Sequence, residues 1–294
     1  MQSIQKIKEE MYLNVDMAEL MEVLKGIAIS EFWALAKKQG RFARFMKAFD
    51  GFFDIVDFHQ VRHPMATGQG KLALLMVTSN EGFMGGLNTR VINAALANPE
   101  ADAAEWIIVG EQGANQLAGM NKRFKAFPGV VSEECYDASV QLRDHIMQET
   151  RKGAFGRLTV YYPKSVSFMV QRVEEVNILP CRELFQKKGK TSAIGPGELI
   201  IESSLQSMIQ YLVETWIVQR FYEILEDSKL AEFSARTVHL EESFQLLQER
   251  GKGIRFQYLR SWHELIDKGM RDIFSAQSIR RKARKVLNMN VSGQ

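Results

Sequence analysis

The sequence predicts an α+β, α/β-type chain. A long antiparallel coiled coil joins its N- and C-terminal stretches, and a Rossmann-like α/β domain is inserted between them. Three observations lead there. From Glu198 to Leu287 there is no proline, and apolar residues recur at helical spacing: Leu205, Met208, Leu212, Trp216, then Phe221, Leu225, Ala231, Ala235 and Val238. Residues 1–60 lack proline as well and carry the same three- and four-residue spacing. Between these stretches, short wholly apolar runs alternate with amphipathic segments.

The C-terminal stretch sets the scale. A helix over 198–287 reaches ~130 Å, whereas a compact globule of 294 residues has a radius of gyration near ~19 Å. Such a helix needs a partner of comparable length. The N-terminus supplies one: Ile4, Ile7 and Met11, then Ala18, Met21, Ala28, Phe32 and Leu35, then Phe42, Phe45, Phe49, Phe52 and Val56. Gly26, Gly40 and Gly51 weaken this helix locally. Asn14, Lys25 and Glu31 interrupt its seam, so the heptads are imperfect.

In the middle, Lys71–Ser79 is a continuous apolar run between turn signals and reads as a buried strand. Asn80–Gly86 is glycine-rich, and Asn88–Asn98 reads as a helix closed by Pro99. Trp106–Val109 is a second buried strand ending at Gly110, followed by a helix at Gln112–Met120 and a short strand at Phe124–Phe127. Ser132–Lys152 is an amphipathic helix with Ser132 as its candidate cap. Arg157–Tyr162 and the alternating Ser165–Pro180 segment are strands, and Gln186–Gly197 is a basic, glycine-containing linker. The alternation means βαβ units and a largely parallel sheet. The expected domains are therefore 1–62 (N-terminal helix), 70–195 (α/β), 198–287 (C-terminal helix pairing with 1–62) and 288–294 (tail).

Composition narrows the function classes. The 294 residues are 46% hydrophobic and 25% charged, with net charge +3, too small by itself to imply a nucleic-acid binder. Two cysteines, Cys135 and Cys181, build no multi-bridge framework. The opening MQSIQKIKEE predicts no signal peptide, and Leu72–Val77, the longest apolar run, is too short to span a bilayer.

Ser79–Asn88 lies after a strand and before a helix, where α/β proteins bind ligands. It carries neither G-x-G-x-x-G nor the P-loop lysine, so a tight turn with close backbone approach is the preferred reading over a phosphate site. Gly110–Gly113 follows the next strand in the same way. His59, His63, His145, His239 and His263 share no metal-ligand spacing with Cys, Asp or Glu. No nucleophile elbow or paired-carboxylate signature stands out. The expectation is no catalytic residue, no cofactor and no metal. Arg280, Arg281, Lys282, Arg284 and Lys285 make a basic end that suits a solvated last turn. Two alternatives remain open on the residues alone: a small-ligand or nucleotide-binding α/β enzyme with a helical arm, and a helical scaffold protein.

Taken together, these pieces resemble the gamma subunit of the F-type ATP synthase. SNEGFMGGLN, Ser79–Asn88, is similar to the family's S-D-x-G-L-C-G-G-x-N, matching at Ser79, Gly82, Gly85, Gly86 and Asn88. Ile108–Gly113 is similar to I-x-G-x-K-G, with Gly110 and Gly113 in place. Val160–Pro180 resembles V-Y-x-x-F-V-N-x-x-x-Q-x-P…L-L-P through Val160, Tyr161, Val166, Gln171, Leu179 and Pro180. Glu223–Leu240 resembles A-L-x-E-S-x-A-S-E-H-A-A-R-M-x-A-M at Ser228, Glu232, Ala235 and Arg236. Elsewhere the chain departs. Val23–Glu31 puts a glutamate where the family has its lysine, and Tyr258–Gly269 keeps Tyr258 and Ile266 but carries Trp262, His263, Asp267, Lys268 and Gly269 in place of polar residues. These departures mark a divergent branch; a sodium-translocating ATPase is one reading.

The resemblance implies a non-catalytic rotor shaft that couples ion flow to ATP synthesis or hydrolysis. It implies as partners the alpha and beta subunits of the catalytic head, the epsilon subunit and the membrane c-ring. Nucleic-acid binding and direct membrane insertion are not expected. It implies a peripheral position on the cytoplasmic side of the inner membrane, with Tyr258, Trp262 and Ile266 as candidate head contacts.

Overall fold

The computed structural model describes residues 4–38, 65, 68–120, 122–181, 184 and 204–291. Expectations that fall on 39–64, on the linker 186–197 or on 198–203 lie outside the described residues. The chain forms two units, Met1–Leu24 with Glu241–Gln294 and Lys25–Leu240. Two helices contribute to both: α1 (Ile4–Ala36) and an 87-residue helix, Leu205–Val291.

Unit Lys25–Leu240 contains a five-stranded sheet. In chain order its elements are β1 (Leu72–Val77), α2 (Leu87–Leu96), β2 (Glu105–Val109), α3 (Glu111–Gly119), β3 (Lys125–Phe127), α4 (Cys135–Arg151), β4 (Arg157–Ser167), β5 (Val170–Leu179), and the first part of the long helix, α5. The strand order is β3-β2-β1-β4-β5. β1 pairs in parallel with both β2 and β4, β2 in parallel with β3, and β4 antiparallel with β5.

All six β1 residues are buried because both sheet faces are covered. Ala73, Leu75 and Val77 join a core with Leu142 and Ile146 of α4 and with Val213, Ile217 and Phe221 of α5. The alternate residues Leu72, Leu74 and Met76 join a second core with Val91 and Ile92 of α2 and Leu117 of α3. The period of two in the strand thus divides one apolar run between two helical layers.

Two local expectations need correction. Ser132 opens a 3-10 turn, Ser132–Glu134, and makes no capping hydrogen bond; α4 begins after it at Cys135. The alternating segment Ser165–Pro180 is not one strand. Ser165 pairs with Gln171 across a hairpin whose turn is Phe168-Met169. No Gly or Pro marks that turn, since Phe168 leaves the strand to pack edge-on against Phe32 and its cluster with Leu35 and Leu230.

In unit Met1–Leu24 with Glu241–Gln294, Ile7, Asn14 and Met21 are the buried positions of α1, a strict seven-residue repeat. Asn14 sits on the seam against Gly251, where a Cβ would come 2.7 Å from the Asn14 Oδ1. Glu10 accepts from Arg250 at 2.7 Å. In the other unit Phe32 and Leu35 pack with Leu230. Glu31 is exposed and does not interrupt the seam.

Candidate functional site

The loop after β1 is closed by its own ends. Asn88 Nδ2 donates to the Ser79 Oγ at 2.9 Å, the Ser79 N–H donates to Asn88 Oδ1 at 3.2 Å, and Ser79 Oγ donates to the Glu81 carbonyl at 2.7 Å. Phe83, Gly85 and Gly86 take left-handed backbone with φ of 63°, 55° and 79°.

The second loop is stitched to the first. The Gln112 N–H donates to the Ser79 carbonyl at 3.0 Å and the Glu111 N–H to Asn80 Oδ1 at 3.2 Å. These are N-terminal donors of α3, the groups a bound phosphate would use; the chain itself occupies them. Gly110 and Gly113 both lie against Thr78, and a Cβ on either would collide with it.

A doubly wound sheet binds ligands beyond the strand C-termini where strand order reverses. Here that point is β1, flanked by β2 and β4. Helix α5 fills it. Leu225, Ser228, Lys229 and Glu232 face Val77, Ser79, Leu87 and Pro163 across a cavity of about 20 Å³, roughly room for one water.

Next to this filling lies an ionic cluster. Arg236 donates to Glu232 at 2.7 Å, sits 3.1 Å from Glu81, and its Nε donates to the Gly82 carbonyl at 3.4 Å. Lys229 donates to the other Glu232 oxygen at 2.8 Å. The side chains of Lys229, Glu232 and Arg236 are only 13%, 8% and 11% exposed. Met84, Leu87 and Ala235 form an apolar cluster nearby, and Gly85 lies against His239. Elsewhere on α5, Gln171 donates to Ser234 at 3.1 Å and Lys164 pairs with Asp227 at 3.2 Å.

The structure therefore brings Ser79, Gly82, Gly85, Gly86, Asn88, Gly110, Gly113, Glu232 and Arg236 to one end of the sheet, while Gln171 joins α5 through the hairpin. Tyr258, Trp262 and Ile266 belong to the other unit: Trp262 is 44% exposed with its ring edge against His263, and Tyr258 and Ile266 are half-buried. Sequence reasoning passed over Lys229, Glu81, Lys164 and Asp227 as contact residues. The 229–232–236 spacing of opposite charges was the available signal for the first.

Two titratable groups outside the cluster, Cys135 and His145, are shifted by burial. Burial pushes the Cys135 thiol up to about 11, with Glu226 acting the same way, the reverse of what a nucleophilic thiolate needs. Burial holds His145 below its ordinary value, with Glu149 opposing. No group of metal-ligating side chains is found among the described residues.

A family model described as ATP synthase (ATP-synt) matches residues 3–278. The chain belongs to that family. The ATP synthase gamma chain of Cytophaga hutchinsonii is 23% identical over 212 residues, covering 69% of this chain and 72% of the relative. That of Desulforudis audaxviator is 23% identical over 229 residues, covering 72% and 76%. Among solved structures, a chain of the Euglena gracilis mitochondrial ATP synthase, OSCP/F1/c-ring, matches with TM-score 0.71 and 14% identity over 96% of both chains. A chain of the Tetrahymena thermophila mitochondrial ATP synthase central stalk and c-ring matches at TM-score 0.58 and 19% identity, covering 76% of this chain and 99% of that one. The first of these likenesses covers 96% of the chain and so takes in parts of both units.

Proposed function

We infer that this chain is the non-catalytic central-stalk subunit, the rotor shaft, of an F-type ATP synthase. The observation that carries this is the continuous helix Leu205–Val291 fastened to an α/β domain whose ligand crevice it fills. The chain supplies stiffness and asymmetry, and the chemistry belongs to other subunits. An asymmetric shaft makes different contacts with each surrounding catalytic site at each angle. The differences in contact free energy bias those sites among their conformations, which is what coupling requires.

The proposed partners are alpha and beta subunits around the helical part, with the epsilon subunit and the c-ring at the α/β domain. No helix among the described residues is long and apolar enough to cross a membrane, which fits a peripheral subunit. Its proposed position is the cytoplasmic side of the inner membrane, and its proposed divisions are 1–62, 70–195, 198–287 and 288–294. Tyr258, Trp262 and Ile266, with exposed Phe256, Leu265, Ile273 and Phe274 nearby on α5, are proposed to meet the catalytic head through an apolar, aromatic surface.

The test is reconstitution of the catalytic head with and without this chain, with a bead attached to the α/β domain. ATP-driven rotation in one direction is expected only when the chain is present. A chain that does not co-assemble with the head, or a head whose rotation does not depend on it, refutes the reading.

A further inference from the structure

We propose that the α/β domain holds α5 in a two-jawed clamp through which torque passes between domain and shaft, with Arg236 as the positioning residue of one jaw. This rests on the rotor reading above and adds the path of the force.

The first jaw is the Ser79–Asn88 loop. Its Glu81 carboxylate and Gly82 carbonyl both engage the Arg236 guanidinium. The loop is stiff because Ser79 and Asn88 lock its ends, and Arg236 is held from behind by Glu232, which Lys229 fixes in turn. The second jaw is the β4–β5 hairpin, through Lys164 to Asp227 and Gln171 to Ser234.

The angular positions carry the argument. At 3.6 residues per turn, Asp227 and Ser234 lie about 140–180° around the helix from Glu232 and Arg236. The domain therefore grips opposite faces of α5 within a few turns. An attachment on one face alone lets a twisted helix roll and peel away. Attachments on opposite faces oppose rotation with a couple, each jaw loaded in the opposite direction. Arg suits the pin because its planar fork holds two acceptors at fixed angles, which a Lys ammonium does not.

The experiment uses the assembled, membrane-reconstituted complex. Glu81→Gln weakens the first jaw by removing the charge paired with Arg236, at a side chain that is 74% exposed; Gln171→Leu weakens the second by removing the bond to Ser234. The readouts are ATP hydrolysis without load, and ion pumping against a rising opposing gradient. The clamp predicts unloaded hydrolysis equal to wild type. It predicts that the double variant loses pumping against the gradient by at least ~2-fold more than the product of the single effects, as expected for coupled contacts. Arg236→Lys, which keeps charge and loses the fork, falls between. A merely structural role would instead lower the yield and melting temperature of the complex and leave loaded and unloaded activity in constant ratio; that result overturns the clamp. If the double variant fails to assemble, Glu81→Gln alone decides. It must lower the maximum gradient while sparing the unloaded rate, and wild-type behaviour under load overturns the proposal. A wild-type complex that does not couple at all is a different failure; it overturns the rotor reading, and the clamp with it, before any variant is compared.

Discussion

Trp262→Ala separates a partner surface from an internal seam. Trp262 is 44% exposed, and among the described residues its ring meets that of the adjacent His263. A Trp side chain buries ~150–250 Å² when fully covered, so the exposed part here is ~100 Å². Covered by another subunit, that area is worth ~2–3 kcal/mol at ~25 cal/mol per Å², or roughly 30- to 150-fold in affinity. An extended-chain reference overstates what folding gains for the covered part; the free subunit should lose ~1 kcal/mol or less. The assay pairs urea unfolding of the free subunit with ATP-driven ion transport in the assembled complex. Weakened coupling with near-normal unfolding supports an apolar contact with the head. A free subunit that loses several kcal/mol, as a buried core Trp would, refutes it, and so does an assembly that couples normally.

Gly113→Ala should cost ~1–3 kcal/mol in urea unfolding, because its Cβ strikes Thr78. Gly253→Ala, helical with nothing within 4 Å, should instead stabilise by ~0.5–1 kcal/mol; equal effects at the two sites would contradict the packing described. Cys135 has a folded-state pKa raised from 9.0 to about 11. Above pH 9 the unfolded thiol ionises and the folded one does not. Stability should therefore fall by up to ~1.4 kcal/mol per pH unit between those values, and Cys135→Ala should flatten that slope in unfolding measured at pH 8, 9 and 10. The isolated chain should bind neither ATP nor NAD stoichiometrically at micromolar concentration by calorimetry, since α5 fills the crevice and the α3 donors are engaged.

What the sequence revealed follows from the range of the forces involved. Leu72–Val77 was legible because a strand buried on both faces has to be apolar throughout. The helical stretches were legible because a seam repeats. The hairpin turn at Phe168-Met169 was not, because a tertiary contact with Phe32 makes that turn, without turn chemistry of its own. The site divides along the same line. Glycines 82, 85, 86, 110 and 113 could be read as tight backbone, yet nothing local says what the backbone is tight against. Gly82 and Arg236 are 154 residues apart, and their two stretches read as separate family signatures, one a loop and one a helix. In the fold they are the two sides of a single contact. The Gly82 carbonyl and Glu81 accept from the Arg236 side chain, and Ser79, at the base of the same loop, faces Glu232 across the filled crevice. A loop that in other α/β sheets turns its backbone toward a ligand here turns it toward the chain's own helix. The place where such a sheet would bind a small molecule has become the place where the shaft is held.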